Sequence, residues 1–170
     1  FSPVSSLAAS DNTITMASLT TPTIMDQNPQ ALVDGFSRRL TYLRLSITDF
    51  CNFRCEYCLP NGYQGKPPEN ELSVAEIATL VRGFAQVGTQ KVRITGGEPS
   101  IRRDVLAIIE TIKNTAGIQT VAMTSNGYKL GKHLAGWQAA GLNQLNISMD
   151  SFDAATFHKM TGFDSLPQLM

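Results

Sequence analysis

Cys51, Cys55 and Cys58 are the only cysteines in the 170-residue chain, and they form a single C-x3-C-x2-C loop. Thiolates this close in sequence can face one inorganic centre with little loop-closure cost. A structural zinc ion ordinarily takes four protein ligands in a tetrahedron. No fourth cysteine lies nearby, and His133 and His158 are distant and fall on helical patterns. A [4Fe–4S] cluster ordinarily takes four thiolates, so three leave one iron without a protein ligand. An iron open to a substrate or cofactor is what a catalytic cluster needs. The plainer alternatives are three unrelated thiols, or a zinc site completed from elsewhere in the fold. Because every cysteine is spent in one loop and none remains for a disulfide, the balance favours a metal centre.

The loop must be held by the elements around it. Tyr42 to Thr48 alternates apolar and polar side chains, as a strand does, and runs directly into the cysteines. Pro60 to Asn70 is rich in Pro and Gly and reads as a loop. Ser73 followed by Glu76 is a capping box, opening a helix whose apolar stripe is Val74, Ile77, Leu80, Val81, Phe84 and Val87, with Gly88 at its end. Lys91 to Thr95 reads as a second strand. A helix then carries Val105, Ile108, Ile109 and Ile112 on one face and closes near Gly117. Gln119 to Thr124 is a third strand. Leu130, Leu134 and Trp137 mark a helix stopped by Gly141, Leu142 to Met149 is a fourth strand, and Asp153 caps a short helix with Phe157 and Met160. Such alternation is the signature of parallel βα units, and the fold class it predicts is α/β.

Polar and glycine-rich signals follow each strand: the cysteine loop, Gly96-Gly97-Glu98-Pro99, Thr124-Ser125-Asn126-Gly127 and Ser148-Met149-Asp150-Ser151. In parallel α/β folds active sites lie at the carboxyl ends of the strands, so four strand ends point at one mouth. Gly96 and Gly97 permit close backbone approach, although Gly-Gly alone is only a turn. Tyr57 reads as loop packing or a ligand contact, and Ser148 as a capping hydroxyl or a ligand contact. Arg44 and Arg93 lie within strands, where a charge is costly unless paired. A structural ion pair and a bidentate phosphate contact remain equal readings of the two arginines.

Lys and Arg number 14, as do Asp and Glu, so the formal net charge of zero argues against a general nucleic-acid surface. No apolar run approaches the roughly 20 residues needed to span a bilayer. Clustered cysteines without disulfide partners suit a reducing, cytoplasmic compartment. Residues 1–35 are rich in Ser, Thr, Pro and Ala, carry Asp11, Asp26 and Asp34, and contain no Lys or Arg. Neither a signal peptide nor a transit peptide fits that composition. The stretch reads as a disordered or non-native tail, with Met16 as an alternative start.

With an aromatic residue before its third cysteine, the loop resembles that of the radical S-adenosylmethionine (SAM) enzymes. The resemblance narrows further to the GTP 3′,8-cyclase family of molybdenum cofactor biosynthesis. It is carried by Tyr42-Leu43-Arg44-Leu45-Ser46-Ile47-Thr48-Asp49, by the cysteine loop through Leu59-Pro60, and by Val92-Arg93-Ile94-Thr95-Gly96-Gly97-Glu98-Pro99 with Arg102-Arg103-Asp104. Thr124-Ser125-Asn126-Gly127 and Ile147-Ser148-Met149-Asp150-Ser151 belong to it too, so it covers residues 36–170.

The resemblance implies a partial TIM-like (βα) barrel of the radical SAM type, with a [4Fe–4S] cluster on Cys51, Cys55 and Cys58. It implies SAM contacts at Tyr57, Gly97 and Ser148, and GTP contacts at Arg44, Arg93 and Thr124, with Lys91 a weaker triphosphate candidate. It also implies a flavodoxin or ferredoxin as reductant, a downstream cyclic pyranopterin monophosphate synthase, and a homodimer as an option. The family enzyme is about twice this length, with six βα units and a second, C-terminal cysteine triad. This chain has about four units and no second triad, and is read as the N-terminal portion. A different radical SAM reaction and a zinc-bound structural module are the competing readings.

Overall fold

The computed structural model describes residues 31–65, 71–128, 130–164 and 166. Residues 1–30 of the expected tail and 66–70 of the expected loop lie outside the described residues. Four parallel strands form one sheet in the order β1 (Tyr42–Ser46), β2 (Lys91–Thr95), β3 (Thr120–Ser125) and β4 (Gln144–Ile147). Between and after them run α1 (Val74–Gln86), α2 (Val105–Lys113), α3 (Leu130–Ala139) and α4 (Ala154–Thr161). This is the four-unit partial α/β barrel expected of the sequence. A single 3-10 turn at Pro99–Ile101 had no periodic signal and was not expected.

The alternation along each strand divides the sheet into two unlike faces. Leu43 and Leu45, Val92 and Ile94, and Val121 and Met123 pack into one core with Ile77 and Val81 of α1, Val105, Ile108, Ile109 and Ile112 of α2, and Trp137 of α3. The other face carries Tyr42, Arg44 and Ser46, then Lys91, Arg93 and Thr95, then Thr120, Ala122 and Thr124, then Gln144 and Asn146. No helix covers this second face among the described elements, and its polar side chains are what an uncovered parallel sheet requires.

Two strands are shorter than their sequence patterns. β1 stops at Ser46 because Thr48 turns the chain: its Oγ1 accepts the Phe50 N–H at 3.1 Å and its carbonyl accepts the Gly97 N–H at 2.8 Å. The fourth strand begins at Gln144 because Leu142 instead donates its N–H to the Trp137 carbonyl, closing α3. Upstream of β1, residues from Leu32 to Leu40 fold back, with a Val33–Arg39 bridge and a Leu32 N–H bond to the Val87 carbonyl at 3.0 Å.

The capping box on α1 is complete: Ser73 Oγ accepts from Glu76 N at 3.3 Å, and Glu76 Oε2 accepts from Ser73 N at 2.8 Å. Replacing Ser73 with Ala should therefore lower the unfolding free energy by about 1 kcal/mol. Urea unfolding would register this as a lower midpoint at constant slope. An unmoved midpoint would mean that packing alone fixes the helix start.

Candidate functional site

At the carboxyl end of the sheet the cysteine loop is gripped from two sides. On one side Gly97 and Glu98 donate their backbone N–H groups to the carbonyls of Thr48 and Phe50, each at 2.8 Å. The approach is so close that a Cβ on Gly97 would fall on the Phe50 and Asp49 carbonyl oxygens, and Gly96 has φ +139°. Only glycine fits both constraints. On the other side the end of α4 accepts from the loop. Arg54 N donates to the Thr161 carbonyl at 2.8 Å and Glu56 N to the Met160 carbonyl at 3.0 Å. Phe53, buried between the first two cysteines, stacks on Phe163 at 4.6 Å and meets Phe157 edge-on at 5.9 Å.

Glu98 joins this loop to the end of β3. It is 1% exposed, and its carboxylate accepts three hydrogen bonds: from Ser100 N at 2.9 Å, Ser125 Oγ at 2.8 Å and Asn126 N at 2.6 Å. Asn126 in turn donates Nδ2 to Asn52 Oδ1, at 3.0 Å, inside the cysteine motif. Three strand-end loops are thus one connected unit.

The sulfurs are partly buried at Cys51 and Cys55 and exposed at Cys58. Burial pushes the Cys51 thiol up, against a lowering hydrogen bond from the Phe53 backbone; Glu98, Cys55 and Cys58 add smaller repulsions. Burial likewise pushes Cys55 up, with Asp150 and Cys58 contributing and a Tyr57 hydrogen bond opposing. The thiols therefore feel one another's charge. Yet among the described residues no three His, Cys, Asp or Glu side chains gather closely enough to hold a single metal ion. Three thiolates with no fourth protein ligand fit a [4Fe–4S] cluster with one iron open better than a four-ligand zinc site. One buried donor in the loop, Asn52 Nδ2, has no protein partner, as would be expected beside a group not included in the protein chain.

The remaining expected residues fall into two sets. Tyr57 is exposed and donates its hydroxyl to Asp150 Oδ2 at 2.9 Å, which ties the cysteine loop to the segment after β4. Although the ring is exposed, desolvation around its hydroxyl and the Asp150 hydrogen bond push the phenol above its ordinary range. Ser148 is exposed just beyond β4, with its N–H on the Ser125 carbonyl at 2.8 Å. Arg44, Arg93 and Thr124 share the uncovered sheet face. Arg93 Nε donates to Tyr42 Oη at 2.7 Å and Nη1 to Thr124 Oγ1 at 3.1 Å. Lys91 Nζ reaches past β3 to donate to Gln144 Oε1 at 2.7 Å. Arg44 is exposed, makes no hydrogen bond or ion pair among the described residues, and lies in register with Arg93. Among the described residues neither arginine makes an ion pair, and no acidic residue occupies this face in the described strands.

Sequence reasoning missed Phe53, the Asn52–Asn126 contact and the α4 end as parts of the site. The signal for Phe53 was an apolar residue between two candidate ligands. Nothing local marked the other two, since both contacts are made across the fold.

Residues 45–168 match the Radical SAM superfamily, and the chain belongs to it. That membership implies a [4Fe–4S] cluster and SAM, and it weighs against the zinc module. Within the family, relatives that match this chain include proteins named GTP 3′,8-cyclase. That of Aeromonas hydrophila subsp. hydrophila is 57% identical over 146 residues, covering 82% of this chain and 42% of its own. That of Pasteurella multocida is 54% identical over 142 residues, covering 82% and 42%. The chain thus spans about two-fifths of the length of the curated relatives it matches. Among solved structures, Streptococcus suis SuiB bound to S-adenosylmethionine aligns with TM-score 0.61 at 18% identity, covering 72% of this chain and 28% of that one. HydG, a maturase of the [FeFe]-hydrogenase, aligns with TM-score 0.60 at 15% identity, covering 75% and 29%. Both likenesses concern the fold.

Glu98→Ala should free three donors at once, two buried and one, Asn126 N, half-buried. At about 1–3 kcal/mol for each orphaned group, the expected loss is at least about 3 kcal/mol. Amide exchange at Ser100 and Asn126 should accelerate well beyond that at core positions such as Ile94. Equal protection at both sites would show that something other than the carboxylate joins the loops.

Proposed function

We propose that this chain is the N-terminal, cluster-carrying part of a GTP 3′,8-cyclase. Such an enzyme is a radical SAM lyase that converts GTP to (8S)-3′,8-cyclo-7,8-dihydroguanosine 5′-triphosphate, the first step of molybdenum cofactor biosynthesis. In this reading residues 36–170 are the first part of the catalytic core domain, and an N-terminal extension precedes it. The observation that carries the substrate assignment is the pair of arginines in register on one face. Arg44 and Arg93 are like charges directly opposite each other across two strands, an arrangement that destabilises a sheet on its own. Lys91 is nearby and no carboxylate on the described strands relieves them. A polyanion resolves the repulsion, and guanidinium forks match phosphate oxygens bidentately.

The residues of the chain divide the work. Cys51, Cys55 and Cys58 would hold a [4Fe–4S] cluster through their three thiolates, with no fourth protein ligand. When bound, the cluster and SAM supply a 5′-deoxyadenosyl radical by one-electron cleavage of SAM. Gly97, packed against the cysteine loop, would meet the SAM amino group through its backbone, while Tyr57 and Ser148 would contact SAM from the cysteine loop and the end of β4. Arg93, fixed by Tyr42 and Thr124, keeps Nη2 available toward the triphosphate, and Arg44 contributes its whole guanidinium. Thr124 borders the nucleotide. The partners in this reading are GTP, a flavodoxin or ferredoxin as reductant, and a downstream cyclic pyranopterin monophosphate synthase, all in the cytoplasm. No described helix is long and apolar enough to cross a membrane.

Calorimetry on the full-length protein tests the assignment. Arg44→Ala and Arg93→Ala should each weaken GTP binding by about 1.5–3 kcal/mol, the range for a charge-assisted hydrogen bond, and leave SAM binding within twofold. Equal losses for both ligands would return the arginines to a structural role. A second measurement concerns the metal. Any one of Cys51→Ala, Cys55→Ala or Cys58→Ala should abolish cluster assembly and SAM cleavage after anaerobic reconstitution. A single variant with normal iron content and normal cleavage would remove the cluster assignment.

A further inference from the structure

We propose that the Asn52 side-chain amide is a positioning and tuning residue for the cluster, donating its Nδ2–H to a cluster sulfur and raising the cluster's reduction potential. The inference rests on the cluster-binding reading of Cys51, Cys55 and Cys58. It starts from the orphaned donor: Asn52 Nδ2 is buried without a protein partner, directly after the first cysteine of the motif. Buried polar groups are almost always hydrogen-bonded, so each exception calls for a missing acceptor.

The orientation of this amide follows from its neighbours. Tyr128 N donates to Asn126 Oδ1 at 2.9 Å, so Asn126 can offer Asn52 only its NH2 group. Asn52 must meet that donor with its own carbonyl oxygen, as it does at 3.0 Å. Its NH2 group is thereby forced to the opposite side, and flipping the amide would set two NH2 groups against each other. Glu98 fixes the assembly in turn by accepting from Asn126 N. The Glu98–Asn126–Asn52 relay therefore fixes the orientation of a buried amide that lies within the cysteine loop.

The other unpartnered buried donor, Trp137 Nε1, is not comparable. Trp137 belongs to the apolar core on the helix-covered side and stacks on His133 at 6.0 Å, with no ligand motif around it. Asn52 instead lies between Cys51 and Phe53, whose packing cluster includes both Cys51 and Cys55. The acceptor implied there is the group those thiols hold. A reduced cluster carries one more electron, spread over its sulfurs, than an oxidised one. An N–H···S bond therefore strengthens on reduction, and hydrogen bonds to the sulfurs are among the factors that set such potentials.

The test is a redox titration of the anaerobically reconstituted protein, with dithionite as reductant and the reduced cluster followed by electron paramagnetic resonance. Asn52→Leu keeps the side-chain volume and removes the donor. It should shift the reduction equilibrium about tenfold against the reduced cluster, about 59 mV to lower potential for one electron. Asn126→Ala, which unlocks the orientation without touching the donor, should shift it in the same direction by less. A second measurement needs no variant. Protein labelled with 15N only at asparagine side-chain amides should show a 15N coupling in pulsed spectra of the reduced cluster. A cluster with no such coupling, or an unchanged midpoint in Asn52→Leu, overturns the inference and leaves the cluster reading intact. Failure of the unmodified protein to assemble any cluster overturns both.

Discussion

A buried carboxylate fixes the geometry on which the site depends. Glu98 is nearly without solvent and holds Ser100, Ser125 and Asn126 through three accepted hydrogen bonds. A carboxylate removed from water is costly unless its oxygens are fully engaged, which makes the arrangement all-or-none: the loops come together around it or it does not stay inside. Its own backbone N–H, on the Phe50 carbonyl, extends the constraint to the cysteine loop. Cys51, Gly97 and Asn126 come from three strand ends, yet one side chain sets their mutual placement.

The cysteine loop needs this help because it contains little regular structure of its own. What it contributes is Phe53, which fills the space against Phe157 and Phe163 and anchors the middle of the motif in a small second core. The carboxyl end of α4 supplies acceptors for the loop's N–H groups, since terminal helix carbonyls have no partner within the helix. The spacing of the thiols is thus set by three contacts made outside the motif: glycine backbone on one side, a helix end on the other, aromatic packing beneath.

Much of this was legible in the sequence because it is local. The capping box at Ser73, the stripe of α1, and the strand at Lys91–Thr95 follow from short-range patterns, and the structure places all three where the patterns do. That Arg44 shares a face with Tyr42 and Ser46 was also legible, because strand parity fixes it. Strand ends were less so: Thr48 leaves its strand through a bond from Gly97, across the fold, and Leu142 through a bond to Trp137 that closes α3. Glu98 was read only as a possible acceptor: nothing in Gly-Gly-Glu-Pro reveals that its three donors lie between two and 28 residues away. The Asn52–Asn126 contact, separated by 74 residues, has no sequence signature at all.

The two faces of the sheet pull stability and binding in opposite directions. On the covered face, fully buried Ile, Val and Met side chains supply the driving force for folding. On the uncovered face, Arg44 and Arg93 oppose each other in register, and Lys91 lies one side-chain pair further along β2. Tyr42 and Thr124 relieve Arg93 only by accepting hydrogen bonds, which leaves the net positive charge in place. A sheet selected for stability alone would set a carboxylate among these cations, as cross-strand pairs of opposite charge favour. Such a carboxylate would also occupy the place of an anionic ligand and repel it. Holding these cations together with no carboxylate on the described strands is a cost that the folding of the apolar face bears. Any anion that binds there returns part of that cost as added stability, because a ligand that binds only the native state shifts folding in its favour.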